Sequence, residues 1–223
     1  MRVVADLGVT VAICVRDGEK YIAEAIESAR RQIPPPIEVL VIDDGSIDDS
    51  AIIAAALGCR VVSGEKNGIG AARNTAIRVA SGDCIFFLDA DDRMADNALC
   101  HLLQALRDSP NFLGAIGFRQ NFISPDLADP STPHSRRFFE KEWGTLPSGA
   151  LWKREIATKL RFNVESPVAD VEWILDFQAL GLEWGATEAI VLYRRIHREN
   201  SSSQPETRAA YLSLALKRLG KLA

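Results

Sequence analysis

Residues 9–15, VTVAICV, are a short apolar run rich in β-branched side chains between Gly8 and Asp17-Gly18, which predicts a buried strand. The period then changes. Ile22, Ala25, Ile26 and Ala29 recur at i, i+3, i+4 and i+7, predicting a helix over 19–31 that Pro34-Pro35-Pro36 stops. Residues 37–42 read as a second buried strand, 50–57 as a short alanine-rich helix capped by Asp48 or Asp49, and 60–63 as a brief third strand. Ile69, Ala72, Ala76, Ile77 and Ala80 mark a helix over 69–80, ended by Gly82. Residues 84–88 are the most apolar strand, Leu99, Leu102, Leu103 and Leu106 mark the next helix, and 114–123 form another strand. Strand and helix alternating with short connections predict an α/β fold: a mostly parallel central sheet covered on both faces.

After Ile123 the regular pattern stops. Residues 124–147 hold four prolines, Arg136-Arg137 and Phe138-Phe139, and predict a long loop with one helical turn, the kind of segment that serves as a lid or linker. A helix near 171–180, a strand at 189–194, a polar stretch at 198–206 and an amphipathic last helix (Leu212, Leu216, Leu219) follow. The chain is thus read as one fused domain of two halves, 1–123 and 124–223.

Composition narrows the function classes. The 223 residues carry a net charge of −4, unlike the basic field of a general nucleic-acid binder. No stretch approaches about 18 consecutive apolar residues, so no transmembrane helix is expected. The start is basic and then apolar, but Asp6 interrupts it and no small-residue cleavage site follows, so it reads as a strand and not a signal peptide. Cys14, Cys59, Cys84 and Cys100 lack metal-ligand spacing and suit free thiols in a reducing, cytoplasmic compartment.

In a doubly wound sheet, ligands bind beyond the carboxyl ends of the strands. The second strand runs into Asp43-Asp44, and the strand at 84–88 runs into Asp89-Ala90-Asp91-Asp92. Such acids on one rim repel each other unless a cation neutralises them, and an oxygen-only set suits Mg²⁺ or Mn²⁺ held together with substrate phosphates. Asp48, Asp49, Asp83 and Asp96 read as caps and turns. Asn67-Gly68-Ile69-Gly70 fails as a dinucleotide fingerprint because Arg73 stands at the third glycine, yet a helix N-terminus with Arg73 nearby favours an anion. No GxxxxGK(S/T) is present, which excludes a P-loop NTPase.

VTVAICVRDGEKYIAEAIESARRQ, IEVLVIDDGSIDDS, NGIGAARNTAIRVASGD and CIFFLDADD, in that order, resemble glycosyltransferase family 2, a family of the GT-A type. The resemblance is strong over about 8–100 and weaker over about 146–203. It implies a Rossmann-like three-layer sandwich with a smaller C-terminal acceptor-side lobe, and inverting transfer from a nucleoside-diphosphate sugar, of the uridine type. Carried over by position, Val15 and Arg16 line the base pocket, and Asp44, supported by Asp43, accepts from the base. Arg73 steadies the aspartates, Asp89 with Ala90 lies at the ribose, and Asp91 with Asp92 holds Mn²⁺ or Mg²⁺. His197, in the late segment Tyr193 to Ser201, is implied as a further metal ligand. The 1–123 half then binds the nucleotide sugar, and the 124–223 half binds a sugar, lipid-linked or other small acceptor, with peripheral membrane contact as an expectation.

The family's Glu-Asp pair falls on Ala169-Asp170, where the Glu is lost. Asp170, beside Val168 and Trp173, is implied as the general base, with an apolar setting that raises its affinity for a proton. The family's Pro-x-Tyr-Asn at the end of the first strand is Cys14-Val15-Arg16-Asp17 here. Trp143 and Trp152 read as flanking the acceptor, and Trp184 as core. His101 and His134 read as structural or exposed. The competing classes are a phospho-receiver module, a nucleotidyltransferase of related fold and a catalytically idle relative.

Overall fold

The computed structural model describes residues 7–127, 139–198, 200 and 205–218. β1 (Val9–Val15) is buried along its whole length, as an unbroken apolar run requires of a strand covered on both faces. β2 (Glu38–Asp43) and β4 (Cys84–Asp89) flank it, both parallel, and β3 (Arg60–Ser63) adds in parallel outside β2. α1 (Ile22–Arg30), α2 (Ser50–Ala56) and α3 (Gly68–Val79) make the crossovers. After β4 the chain turns into β5 (Arg93–Met94), and α4 (Ala98–Asp108) leads to β6 (Gly114–Ile123).

β7 (Glu142–Trp143), β8 (Leu151–Lys153) and β9 (Trp184–Ile196) complete a sheet of order β3-β2-β1-β4-β8-β6-β9-β5, with β7 paired to β6 off that path. β8 lies antiparallel between β4 and β6, β9 runs parallel to β6, and β5 closes the far edge antiparallel to β9. Strands from both sides of residue 123 therefore share one sheet. The apolar pattern underestimates β9 and misses β5 and β7, whose two residues are too few for any period to register.

The alternation of β1 sorts two apolar layers. Val9, Val11, Ile13 and Val15 pack with α1 and α4, whereas Ala12 and Cys14 face α3 and α5 (Ala169–Ala179). The second layer is built on rings: Trp152 meets Trp173 edge-on at 4.7 Å, and Phe177 stacks on Trp184 at 5.0 Å. Trp184 takes the expected core role. Trp152 does not take the acceptor-side place expected of it, because β8 aims it into this cluster, where it is 1% exposed.

Trp143 is 42% exposed but stacks on its β6 partner Phe118 at 4.2 Å. A 3-10 turn at Pro125–Leu127 supplies the helical turn expected in the long loop; Arg136, Arg137, Phe138 and His134 lie outside the described residues. His101 is exposed. α6 (Pro205–Arg218) is the last element. All four cysteines are free: Cys14 and Cys84 are buried, Cys59 is half-buried and Cys100 is exposed. No helix among the described residues is long and apolar enough to cross a membrane.

Candidate active site

The register of the central strands brings the acids to one edge. Val15 pairs with Asp43, and Cys14 with Asp89, so β1, β2 and β4 end at the same level. There a cavity of about 580 Å³ opens, lined by residues of both halves of the chain, among them Arg16, Arg73, Asp89, Asp91, Asp170 and His197. Val15, Ala90 and Asp92 also reach its wall. A larger groove of about 1050 Å³ lies between α3 and the 154–158 turn, where Lys153 Nζ donates to Pro110 O and Arg154 Nη1 to Ala80 O. None of the Asp89–Asp92 acids lines it.

Asp43 and Asp44 do not line the cavity. Backbone N–H groups meet part of the rim's charge. Ser46 N donates to Asp43 Oδ1 at 3.0 Å, Gly68 N to Asp44 Oδ2 at 2.8 Å and Ile47 N to Asp17 Oδ1 at 2.8 Å. The α3 N-terminus, expected to face an anion of the ligand, thus receives Asp44. The other oxygen of Asp44 is buried and without a hydrogen-bond donor, beneath Gly64, where a Cβ would stand only 2.7 Å from it. An unsatisfied buried acceptor is costly, and an incoming N–H would relieve the cost once the 64–68 loop moved. Asp49 stands at the N-cap of α2 without a side-chain cap bond, and the carboxylate of Asp48 accepts from Ser50 N and Oγ.

Arg73 links the two halves. Gly70 lets α3 approach α5, since a Cβ there would lie 2.6 Å from Asn163 O and 3.2 Å from the Ala169 methyl. One turn later Arg73, 1% exposed, donates through Nη2 to Asp89 Oδ1 at 2.8 Å and through Nη1 to Asp170 Oδ1. Its guanidinium also lies 5.4 Å from the Phe87 ring and 5.6 Å from that of Phe162. The apolar surroundings expected for Asp170 are replaced by this cation, because Trp173 turns into the ring cluster, stacked on Phe162 at 5.2 Å. Among the described residues Asp170 Oδ2 has no protein donor. Ala169 is fully buried, so the position of the family's Glu is filled by helix packing.

The turn after β4 separates its acids. Asp92 N bonds to Asp89 O, and Asp92 is only 4% exposed, its Oδ1 accepting from Arg195 N at 2.8 Å. Burial, reinforced by the charges of Asp91 and Asp89, pushes the Asp92 carboxyl well above the ordinary carboxylate range, against the pull of the Arg195 N–H and the Arg194 charge. Asp92 Oδ1 is thus spent on a backbone donor, which leaves Asp91 as the more open carboxylate of the pair. Asp91 Oδ2 instead lies 2.8 Å from His197 Nε2 and 3.2 Å from Asn200 Nδ2. Among the described residues no three His, Cys, Asp or Glu side chains converge as a ready cage. Asp91 with His197 fits as the protein's share of a Mg²⁺ or Mn²⁺ site whose other positions come from phosphate and water. Cys14, in the family's proline position, is pushed up to about 12 by burial, only partly offset by Arg73, and so stays a neutral wall group.

Sequence reasoning missed Glu24, Arg195 and Asn200. Strand alternation offered one signal, since Arg194 and Arg195 must point to opposite faces of β9. Nothing local marks Glu24, an acid on the exposed side of a helix.

The fold and the edge-of-sheet cavity are those of a GT-A glycosyltransferase. The model of glycosyl transferase family 2 matches residues 10–159, and the chain belongs to that family. It is 32% identical over 181 residues to EpsH of Bacillus subtilis (strain 168), named as a glycosyltransferase, covering 74% of this chain and 53% of that protein. Over 142 residues it is 37% identical to the succinoglycan biosynthesis protein ExoU of Rhizobium meliloti (strain 1021), covering 61% of this chain and 39% of that one. The chain thus spans about half or less of the length of these relatives. Among solved structures, S. aureus TarS 1–349 in complex with UDP-GlcNAc superposes with a TM-score of 0.70 at 20% identity, covering 95% of this chain and 66% of that one. The mannosyltransferase PcManGT of Pyrobaculum calidifontis, in complex with GDP-Man and Mn²⁺, gives 0.69 at 18% identity, covering 97% and 65%.

Proposed function

We propose that this chain transfers a sugar from a nucleoside-diphosphate sugar, of the uridine type, to an acceptor hydroxyl with inversion, in a cytoplasmic setting. The observation that carries this reading is the meeting, in one cavity, of Asp89 and Asp91 from the donor half with Asp170 and His197 from the acceptor half. The UDP-GlcNAc in complex with TarS and the GDP-Man and Mn²⁺ in complex with PcManGT support such a donor.

In this mechanism Val15, Arg16 and Cys14 wall the base end, and Asp89 accepts from the ribose hydroxyls while Arg73 holds its other face. Asp91 and His197 would hold a divalent ion, whose chemistry there would be to stabilise negative charge on the departing diphosphate. Asp170 Oδ2 takes the proton of the acceptor hydroxyl. The acceptor oxygen then forms its bond to the anomeric carbon as the bond from that carbon to the diphosphate oxygen breaks, on the opposite face of the sugar. Arg73 fixes Asp170 through Oδ1, which leaves Oδ2 to take the proton.

The test is thermal stability with UDP, GDP, TDP and CDP, each with and without Mn²⁺. True ligands stabilise by mass action, and about 2.7 kcal/mol is expected at a hundredfold excess over Kd. UDP with Mn²⁺ giving the largest rise is the expected result. No rise with any nucleotide overturns the donor assignment.

A further inference from the structure

Behind Asp91 and Asp92 lies a charged brace outside the cavity lining. Arg195, on the face of β9 opposite Arg194, is 4% exposed. Its backbone N–H donates to Asp92 Oδ1 at 2.8 Å, and its Nε donates to the carbonyl oxygen of Asp91, also at 2.8 Å. Its Nη2 donates to Glu24 Oε2, while Arg93 Nη1 donates to Glu24 Oε1 at 2.8 Å. The guanidinium is sandwiched by rings, 4.7 Å from Tyr21 and 4.5 Å from Phe122. The backbone oxygen of Arg195 accepts from Asn200 Nδ2, the same amide that donates to Asp91 Oδ2. Tyr21 in turn packs on the His197 ring at 4.9 Å.

Its donations to Asp91 O and Asp92 Oδ1 thus bear on the turn carrying Asp91, its carbonyl meets the amide that holds Asp91 Oδ2, and Tyr21 joins it to His197, while Glu24 and Phe122 hold the guanidinium itself in place. An ion pair that merely pinned α1 to β9 would need none of the bonds to Asp91 O and Asp92 Oδ1. We propose that Arg195, oriented by Glu24, is a positioning residue for the diphosphate end of the site, setting the Asp91 carboxylate against His197 so that the two present a divalent cation with a preformed pair of ligands. This rests on the donor reading above and adds to it a function for α1, an element with no other part in that chemistry. Partners that orient metal ligands are typically worth about 10–100-fold in metal affinity.

The experiment measures Mn²⁺ binding to the whole chain with saturating UDP, by the loss of free-ion paramagnetic resonance signal, and UDP binding without metal. Glu24→Gln is the milder variant, since Glu24 is 40% exposed and the amide preserves its shape. Arg195→Lys keeps the charge but cannot reproduce the fork. Both are expected to weaken Mn²⁺ binding about tenfold or more, with metal-free UDP binding unchanged. The double variant should lose little beyond Arg195→Lys alone, because both act through one contact. Wild-type Mn²⁺ affinity in both single variants, even with a lowered Tm, overturns the brace and leaves the donor reading standing. A wild-type chain that binds UDP but no Mn²⁺ overturns the brace and the metal assignment together, and one that binds neither overturns the donor reading as well.

Discussion

Arg73 of α3 and Asp170 of α5, 97 positions apart, are joined by an ion pair whose guanidinium also holds Asp89 at 2.8 Å. One buried cation therefore serves a carboxylate from each half of the cavity. Without it, Asp89 and Asp170 would face each other uncompensated. Arg73→Gln is expected to cost about 3 kcal/mol of stability, read from urea unfolding. Asp170→Asn keeps the shape but removes the proton acceptor, so kcat should fall about 10²–10⁴-fold while UDP stabilisation is retained. Full turnover in Asp170→Asn would remove that residue as the base.

Asp91→Asn tests the cation site directly. The amide still meets His197 and Asn200 in outline, so the fold should persist. The extra thermal stabilisation that Mn²⁺ gives over UDP alone should vanish, and EDTA should have the same effect on the wild type. Mn²⁺ stabilisation that survives the substitution would place the ion elsewhere.

Ala169→Glu restores the family's Glu-Asp pair but is expected to harm this chain. Ala169 is fully buried at the approach of α3, close to the position a Cβ on Gly70 would take. A longer acidic side chain must displace α3 or bury its charge, at a cost of about 2 kcal/mol or more. Chemical denaturation measures it, and a variant as stable as the wild type would show that the contact can open cheaply.

Glu38 gives the chain an acid-side stability term. Burial alone would raise its carboxyl, but the Ser81 N–H, the Thr10 hydroxyl, Arg60 and the Ser81 hydroxyl outweigh it and hold the group below its ordinary value. A lowered folded value means that the ionised form contributes stability above the unfolded value, lost as pH falls through the folded one. As pH falls below about 4.5, Glu38→Gln should therefore lose stability less steeply than the wild type, having started about 1 kcal/mol lower at neutral pH. Parallel Tm–pH curves would contradict this.

The two tryptophans read as acceptor-side residues should behave oppositely. Trp152→Ala empties the middle of the ring cluster and should cost about 3–5 kcal/mol. Trp143→Ala, on a partly exposed ribbon outside the cavity lining, should cost about 1 kcal/mol and leave nucleotide stabilisation unchanged. A changed nucleotide response in Trp143→Ala would tie this ribbon to the donor site.

The chain's own pattern was enough for the strands and helices of 9–123 other than β5, and for the order of the acidic turns, because β-branched runs and i, i+3, i+4 repeats are local and the acids sit directly at strand ends. It also placed Asp170 at the start of a helix and His197 at the end of a strand. What each acid does was decided only in three dimensions. Asp43 and Asp44 look equivalent to Asp89 and Asp91 in sequence, yet backbone donors claim the first pair and the cavity receives the second. Asp91 and Asp92 are neighbours, but the turn sends one to His197 and buries the other under Arg195. The first choice turns on backbone donors from the following loop and the start of α3, the second on groups 103 and 106 positions away, and periodicity and spacing carry neither.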